Sequence, residues 1–304
     1  MGRSLYDAFP VVKETFEEAG DALDMDVTRL CFEGPQETLT LTENAQPAIL
    51  TLSVAAARLL MLHGINPMAV GGLSVGEFTA LVVAGSMSFK DALRVVKLRG
   101  RFMQEAQPPG RGAMAAIIGL SADQVVGICE RAKAKGVVSP ANFNCPGQVV
   151  VSGEVQAVKE VADIAKSSGA KRAIMLSVSA PFHSTLMEPA KERLRDVLES
   201  VEIHPPTIPV TKNVDGGIHG EPDEIRKALL DQVSSPVRWE DCVKTLRRLG
   251  ASAFIEAGPG DALTGFNKRI DKSCLALNVE DPEGLERTLD ALDCRGGLCY
   301  DAKR

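Results

Sequence analysis

Residues 70–78 read VGGLSVGEF, with a serine between two glycines where an apolar run meets a helical pattern. A Gly-x-Ser-x-Gly turn is typical of a nucleophile elbow, in which a strand turns sharply into a helix and exposes the serine hydroxyl. The turn also puts the Val75 amide at a helix N-terminus, where the helix dipole favours an oxyanion. The alternative is a serine that only caps the helix. The stretch therefore predicts Ser74 as a nucleophile, provided that a base lies beside it.

On both sides of the elbow, apolar runs with strand character alternate with helical patterns, which predicts an α/β fold with a largely parallel sheet. Residues 43–64 are predicted to form a helix that Asn44 caps and that ends before Gly64. A short buried strand is predicted over 66–74. Residues 252–265 repeat the strand, turn and helix order near the C-terminus.

The middle of the chain has a different order of elements. Between residues 113 and 178 the patterns run β-α-β-β-α-β, with the first helix at 122–135, which is the ferredoxin-like order. This predicts a subdomain over residues 111–179, inserted into a large α/β domain made of residues 1–110 and 180–304. The insertion's sequence contains no glycine-rich phosphate loop and no cluster of metal ligands. We expect it to form one wall of a cleft.

The serine needs a base, because a hydroxyl is a poor nucleophile near neutral pH. The chain has four histidines. His63 ends a predicted helix, His204 precedes two prolines and His219 lies in a polar turn. His183 directly follows the last predicted strand of the insertion, where the chain returns to the large domain beside the cleft. His183 is therefore the predicted general base, and the alternative is a surface or core histidine.

An arginine interrupts the apolar stripe of the predicted helix 89–106. Arg99 falls among the apolar positions, whereas Arg94, Lys97 and Arg101 fall on another face. A guanidinium that faces the interior needs an anionic partner or good hydrogen bonds. Two interpretations follow, a structural ion pair or a binding site for a substrate carboxylate beside the serine.

Composition narrows the classes of partner and compartment. A net charge of −6 without a long basic run disfavours a nucleic-acid binder. The most apolar stretch, 69–87, contains Glu77 and four glycines, so no membrane span is predicted. Seven scattered cysteines predict reduced thiols in the cytoplasm. Cys294 and Cys299 lie in a polar tail without the further ligands that a zinc site needs, so no metal site is predicted.

Seven blocks along the chain, in order, resemble the malonyl-CoA:acyl carrier protein transacylases of fatty-acid synthesis. The resemblance implies an α/β-hydrolase-like core that carries a ferredoxin-like subdomain, which agrees with the order of elements above. The blocks are GLSVGEFTALVVAG (72–85), LRGRFMQEA (98–106), GAMAAIIGL (112–120), NFNCPGQVVVSG (142–153), PFHSTLMEPA (181–190), SSPVRWEDCV (234–243) and EAGPGDALTG (256–265).

The resemblance also implies residue roles. Ser74 matches the acylated serine, and His183 matches its general base. Arg99 matches the arginine that pairs with the malonyl carboxylate. Gln232 matches the glutamine whose main-chain carbonyl orients the histidine, which takes the place of a triad aspartate. Phe182, next to the base, is expected to fill the space of an α-methyl branch and so to favour malonyl over methylmalonyl.

The implied reaction is a ping-pong transfer of malonyl from malonyl-CoA to the phosphopantetheine thiol of an acyl carrier protein, without a metal or redox cofactor. We expect a monomer. Carrier proteins are usually acidic, and this chain is acidic too, so docking would need a local basic patch. The candidates are Lys171–Arg172 and residues 267–272.

The sequence departs from the family pattern at two places. Leu73 stands where many members have histidine, although other members also carry an apolar residue there. The sequence starts at MGRSLYDAF, after the strand and GQGSQ-type loop that open the family and supply half of its oxyanion hole, so we expect a shortened or poorly active form. A thioesterase or esterase would share the elbow but would not need Arg99. An inactive carrier-protein binder would share the whole fold.

Overall fold

The first third of the chain is helical, and its helices pack around one long apolar helix. The computed structural model describes residues 1–108, 110–178 and 180–293. Helices α2 and α7 pack against α5, whose most apolar window is long enough to span a bilayer but is 67% buried inside the protein, as in a core helix. The helices are α1 Arg3–Ala8, α2 Pro10–Leu23, α3 Val27–Glu33, α4 Gln36–Thr40, α5 Thr42–Leu62, α6 Val75–Val83 and α7 Phe89–Glu105.

Helix α5 begins at Thr42, two residues before the predicted cap. The main-chain N–H of Thr42 donates to Gln104 Oε1 at 3.0 Å, so a side chain from α7 caps this helix. Asn44 instead lies inside the helix and donates to the main-chain oxygen of Thr38 at 2.9 Å. The predicted cap was wrong because its replacement comes from a residue 62 positions away, which local sequence does not reveal.

The middle of the chain forms a four-stranded antiparallel sheet in the order β2-β3-β1-β4. Its elements are β1 Gly112–Ile118, α8 Ala122–Ala132, β2 Val138–Cys145, β3 Gln148–Glu154, α9 Val155–Ser167 and β4 Arg172–Met175. Because side chains alternate along a strand, Ala115 and Ile117 share one face of β1 and are buried in one apolar cluster with residues of α8 and α9. Helix α8 stops three residues before the predicted end, where a 3₁₀ turn over Lys133–Lys135 follows.

The last third of the described chain returns to the first. Its elements are α10 Glu188–Glu199, α11 Pro222–Ser234, α12 Trp239–Arg248, β5 Ala253–Ala257, α13 Ala262–Ile270, β6 Leu275–Val279 and α14 Pro282–Asp293. Buried apolar residues of α10 and α11, such as Leu194 and Leu229, belong to the same core cluster as those of α2, α5 and α7. The first and last thirds therefore share one core.

Parallel pairing is more limited than predicted. Strands β5 and β6 form a two-stranded parallel sheet. The strand predicted over 66–74 reduces to one parallel bridge between Val70 and Val210, and its flanking residues are half-buried. Pro67 and Pro209 lack the N–H groups that would extend this ladder, and Gly71–Gly72 start the turn. The fold is thus a mixed α/β fold with a small parallel sheet and a larger antiparallel one.

Cys294 and Cys299 lie outside the described residues.

Candidate active site

Ser74 lies in a tight turn at the start of α6 with φ 54° and ψ −109°. A positive φ is strained for a residue with a side chain, and such strain collects at functional sites. A Cβ on Gly72 would lie 2.1 Å from the Gly76 backbone, so this position requires glycine. Gly76 has open space around a Cβ, so of the two glycines that flank Ser74 only Gly72 is sterically required. The Ser74 side chain makes no capping hydrogen bond, which leaves its hydroxyl for other partners.

His183 contacts Ser74 across the molecule. Its Nε2 lies 2.8 Å from Ser74 Oγ, and its Nδ1 lies 2.8 Å from the main-chain oxygen of Gln232. A carbonyl oxygen only accepts, so Nδ1 carries the hydrogen and Nε2 accepts from the serine hydroxyl. His183 has φ 57° and is 4% exposed. The imidazole of His183, the histidine that the sequence predicts as the base, therefore lies beside Ser74.

The protonation of His183 suits a base. Burial, followed by the positive charge of Arg99, lowers the pKa of His183 from 6.5 to about 4, and hydrogen bonds to the main chain at Gln232 and Ser235 offset part of this change. The imidazole is therefore neutral at pH 7 and able to take a proton.

Arg99 is buried beside the same serine. Its Nη1 donates to Gln46 Oε1 at 2.7 Å, and its Nη2 donates to Ser74 Oγ at 3.0 Å and to Gln232 Oε1 at 2.8 Å. The guanidinium carbon lies 5.6 Å from the centre of the Phe78 ring. Arg99 forms no ion pair with any carboxylate of the described residues, so the interpretation as a structural ion pair is wrong for this part of the chain.

The charge of Arg99 persists despite its burial. Burial lowers the pKa of Arg99 from 12.5 to about 10, and the carboxylate of Glu77 raises it in part. At neutral pH the guanidinium is therefore a buried cation whose direct hydrogen-bond partners are all neutral. An arrangement of this kind can receive an anion.

Three buried residues complete the site and have no counterpart among the predicted functional residues. Asn213 spans the elbow, because its Oδ1 accepts from the Ser74 main-chain N–H at 2.7 Å and its Nδ2 donates to the Gly72 oxygen at 2.7 Å. Gln46 holds one arm of Arg99. Glu77 is fully buried three residues after the serine. Its one sequence signal is that a carboxylate stands in the most apolar stretch of the chain.

Val75 and Phe182 flank the reacting groups. Val75 is the first residue of α6, and its main-chain N–H has no hydrogen-bond partner among the described residues, so it remains available to an oxyanion. Phe182 is half-buried and packs against the main core and also against the small apolar cluster on the other face of the antiparallel sheet.

A mostly apolar cavity of about 840 Å³ also reaches Ser74. Ser53 of α5, Val70 and Ile255 of β5 contribute to its walls. His183 and Arg99 do not line this cavity, so the reacting groups contact Ser74 from elsewhere.

Comparisons with known proteins identify the family of the chain. The acyl transferase domain family matches residues 1–281. The chain is 44% identical over 293 residues to the malonyl CoA-acyl carrier protein transacylase of Bacillus subtilis (strain 168), which covers 96% of this chain and 92% of that protein. It is 44% identical over 284 residues to the protein of the same name from Escherichia coli (strain K12), with 93% and 92% covered.

Solved structures give the same result. The malonyl CoA-acyl carrier protein transacylase of Clostridium perfringens superposes with a TM-score of 0.95 at 40% identity, covering 99% of this chain and 95% of that one. A malonyl-transacylase in complex with its type II PKS acyl-carrier protein superposes with a TM-score of 0.93 at 44% identity, covering 96% and 94%. The chain belongs to the acyl transferase domain family, and within it to the malonyl CoA-acyl carrier protein transacylases.

Proposed function

We propose that the chain transfers malonyl from malonyl-CoA to the phosphopantetheine thiol of an acyl carrier protein through an acyl-enzyme on Ser74. One observation carries the proposal. Ser74 Oγ lies 2.8 Å from a neutral imidazole nitrogen of His183 and 3.0 Å from a nitrogen of Arg99. A nucleophile, a base and a receptor for a carboxylate thus meet at one oxygen atom.

In the first half-reaction, His183 Nε2 takes the hydroxyl proton as Ser74 Oγ attacks the thioester carbon. The Val75 amide donates to the oxyanion of the tetrahedral intermediate. The carbon–sulfur bond then breaks, and the CoA thiolate leaves with the proton from His183. The main-chain carbonyl of Gln232 keeps the hydrogen on Nδ1 throughout, so Nε2 is the atom that moves the proton.

In the second half-reaction, the thiol of the carrier protein gives its proton to His183 and attacks the acyl carbon. The bond to Ser74 Oγ breaks, and the serine recovers its proton. Every step is assigned to side chains or main-chain groups of this chain and to the two substrates. The complex of a similar malonyl-transacylase with its acyl-carrier protein supports this partner. Lys171–Arg172 and residues 267–272 stay the proposed contacts for an acidic carrier.

Arg99 distinguishes the proposal from hydrolysis of an uncharged ester. Once Ser74 is acylated, its ester oxygen is a poor acceptor, so one nitrogen of Arg99 loses a partner close to the acyl chain. The carboxylate of a malonyl group can replace that partner in a charge-assisted hydrogen bond. A thioesterase of uncharged acyl chains would have no use for this buried cation.

The remaining proposals concern selectivity and organisation. Phe182, next to the base, restricts an α-methyl branch. We assign residues 1–110 and 180–304 to an α/β-hydrolase-like domain and residues 111–179 to a ferredoxin-like subdomain, an assignment that the element order β1-α8-β2-β3-α9-β4 supports. The five cysteines of the described residues are buried and unpaired, which supports a reducing, cytoplasmic environment. We also propose that the enzyme is a monomer.

Intact-mass spectrometry after mixing with malonyl-CoA tests the proposal. The wild-type protein is expected to gain one malonyl group, and Ser74→Ala is expected to gain none. Ser53→Ala is the matched control, because Ser53 lies in the cavity that reaches Ser74 but touches neither His183 nor Arg99. A Ser74→Ala protein that still gains the malonyl group would overturn the assignment.

A further inference from the structure

Glu77 is a fully buried carboxylate whose oxygens are all occupied. Its Oε1 accepts from His219 Nε2 at 2.6 Å, and its Oε2 accepts from Gln232 Nε2 at 2.6 Å and from the Asn213 main-chain N–H at 3.2 Å. These three partners lie 136 to 155 residues away along the chain. A buried carboxylate costs several kcal/mol unless it is hydrogen-bonded, and these three contacts offset that cost.

The side-chain amide of Gln232 connects this carboxylate to Arg99. Its Nε2 donates to Glu77, and its Oε1 accepts from Arg99 Nη2 at 2.8 Å. A carboxylate only accepts and a guanidinium only donates, so both neighbours require the same orientation of the amide. The amide dipole therefore lies between a cation at its oxygen end and an anion at its nitrogen end.

This placement keeps the Glu77 carboxylate near Arg99 without using the hydrogen-bond donors of the guanidinium. Glu77 partly offsets the burial of the cation, yet the two side chains do not touch, because the amide of Gln232 stands between them. A direct ion pair would use the donors that a substrate carboxylate needs. A neutral acceptor holds the guanidinium in position and leaves its charge for the incoming anion.

We infer that Glu77 is a positioning residue for acyl selection, which acts by orienting the Gln232 amide and, through it, the guanidinium of Arg99. The inference rests on the proposed role of Arg99 as the receptor of the malonyl carboxylate. Glu77 lies on α6, the helix that starts directly after Ser74. The helix that forms the elbow therefore also carries a residue that controls which acyl group reacts.

The test is the ratio of malonyl to acetyl acylation of Ser74, measured by intact mass in single turnovers with each CoA ester. Glu77→Gln keeps the volume but removes the charge and offers one oxygen where the wild type has two, so the ratio is expected to fall at least threefold. His204→Gln, at an exposed imidazole that pairs with Glu202, is the control and should keep the wild-type ratio. A merely structural role would lower both acylation rates together and leave the ratio unchanged.

A second background makes the route testable. In Arg99→Ala the ratio is already low, and adding Glu77→Gln is expected to cause no further fall, because both residues act through one contact. If Glu77→Gln does not fold, as judged by its circular dichroism melt, Gln232→Met replaces it. This variant keeps the main-chain carbonyl but loses the amide's contacts with Arg99, Glu77 and the Ser74 carbonyl. Its ratio is also expected to fall at least threefold.

The outcomes separate the two proposals. A folded Glu77→Gln protein whose malonyl-to-acetyl ratio falls less than threefold overturns the inference. So does a ratio that falls by the full single-variant factor when Glu77→Gln is added to Arg99→Ala. In both cases the role of Arg99 stands. An Arg99→Ala protein with the wild-type ratio overturns the role of Arg99 and the inference together. If Glu77→Gln does not fold, a malonyl-to-acetyl ratio that falls less than threefold in Gln232→Met overturns the inference.

Discussion

The reacting pair and the surroundings of Arg99 share the oxygen of Ser74 but are built from different parts of the chain. Ser74 and His183 both have a positive φ, and a main-chain carbonyl orients the imidazole. Around Arg99, by contrast, the partners are side chains, the amides of Gln46 and Gln232. Backbone geometry sets reactivity, whereas side-chain hydrogen bonds hold the cation that we propose selects the acyl group.

This difference predicts two kinds of variant. A change in the reacting pair is expected to slow acylation by every acyl-CoA to the same extent, because proton transfer is common to all of them. A change at the cation is expected to alter the ratio between charged and uncharged acyl groups. The predictions below test whether these two effects separate.

The largest effect is expected for His183→Ala. Loss of the general base should slow acylation of Ser74 by about a hundredfold or more, equally for malonyl-CoA and acetyl-CoA. Single-turnover intact mass measures both rates. His204→Ala is the control, because that imidazole is exposed and pairs with Glu202, and it should keep both rates. Unequal losses for the two acyl groups would show that the base also selects between them.

The pH dependence of acylation sharpens the comparison. The pKa of His183 is lowered to about 4, so the rate should be constant at neutral pH and fall only as the pH drops through about 4. Arg99 is the second cause of this low pKa after burial. In Arg99→Ala the imidazolium loses a repulsive neighbour, the pKa rises, and the acid limb should move to higher pH.

Acetyl-CoA is the substrate for this profile, since its uncharged acyl group does not depend on the cation for binding. A circular dichroism melt at each pH confirms that the protein stays folded. An acid limb that stays in place, or moves to lower pH, contradicts the electrostatic coupling between the two groups.

A smaller effect than that of the base is expected at Phe182, which directly precedes His183 in the chain. Phe182→Ala should raise acylation by methylmalonyl-CoA relative to malonyl-CoA by about tenfold, the usual scale for the space of one methyl group. Phe182→Leu, which keeps more of the volume, should give a smaller change. Because Phe182 also packs against two apolar clusters, the melting temperature is measured for both variants. An unchanged ratio in a folded Phe182→Ala protein removes this residue from selectivity.

Much of this architecture could be predicted from local sequence. The elbow at Ser74, the β-α-β-β-α-β order of the middle region and the family itself follow from short patterns and their order along the chain. The strand predicted over 66–74 is reduced to one parallel bridge between Val70 and Val210, and the parallel sheet is smaller than expected. Pro67 and Pro209, one on each of the two bridged segments, lack the N–H groups that a longer ladder would use. Local apolar character does not report whether a partner strand can pair.

The surroundings of the site were less predictable. The resemblance supplied Gln232 for its main chain, but its side chain also bonds to Arg99, Glu77 and the Ser74 carbonyl. Asn213 contacts Ser74 from 139 residues away. Contacts of this range depend on how distant segments pack, and a buried carboxylate in an apolar helix gave the one local hint of them.

A direct competition between equimolar malonyl-CoA and acetyl-CoA tests the separation of reactivity from selection. Single turnovers of wild-type, His183→Ala and Arg99→Ala proteins are compared by the two adduct masses on Ser74. The account predicts that His183→Ala keeps the wild-type ratio at a much lower rate, while Arg99→Ala lowers the malonyl share by more than about tenfold, the scale of one lost buried charge-assisted contact. An Arg99→Ala protein that keeps the wild-type ratio would contradict it.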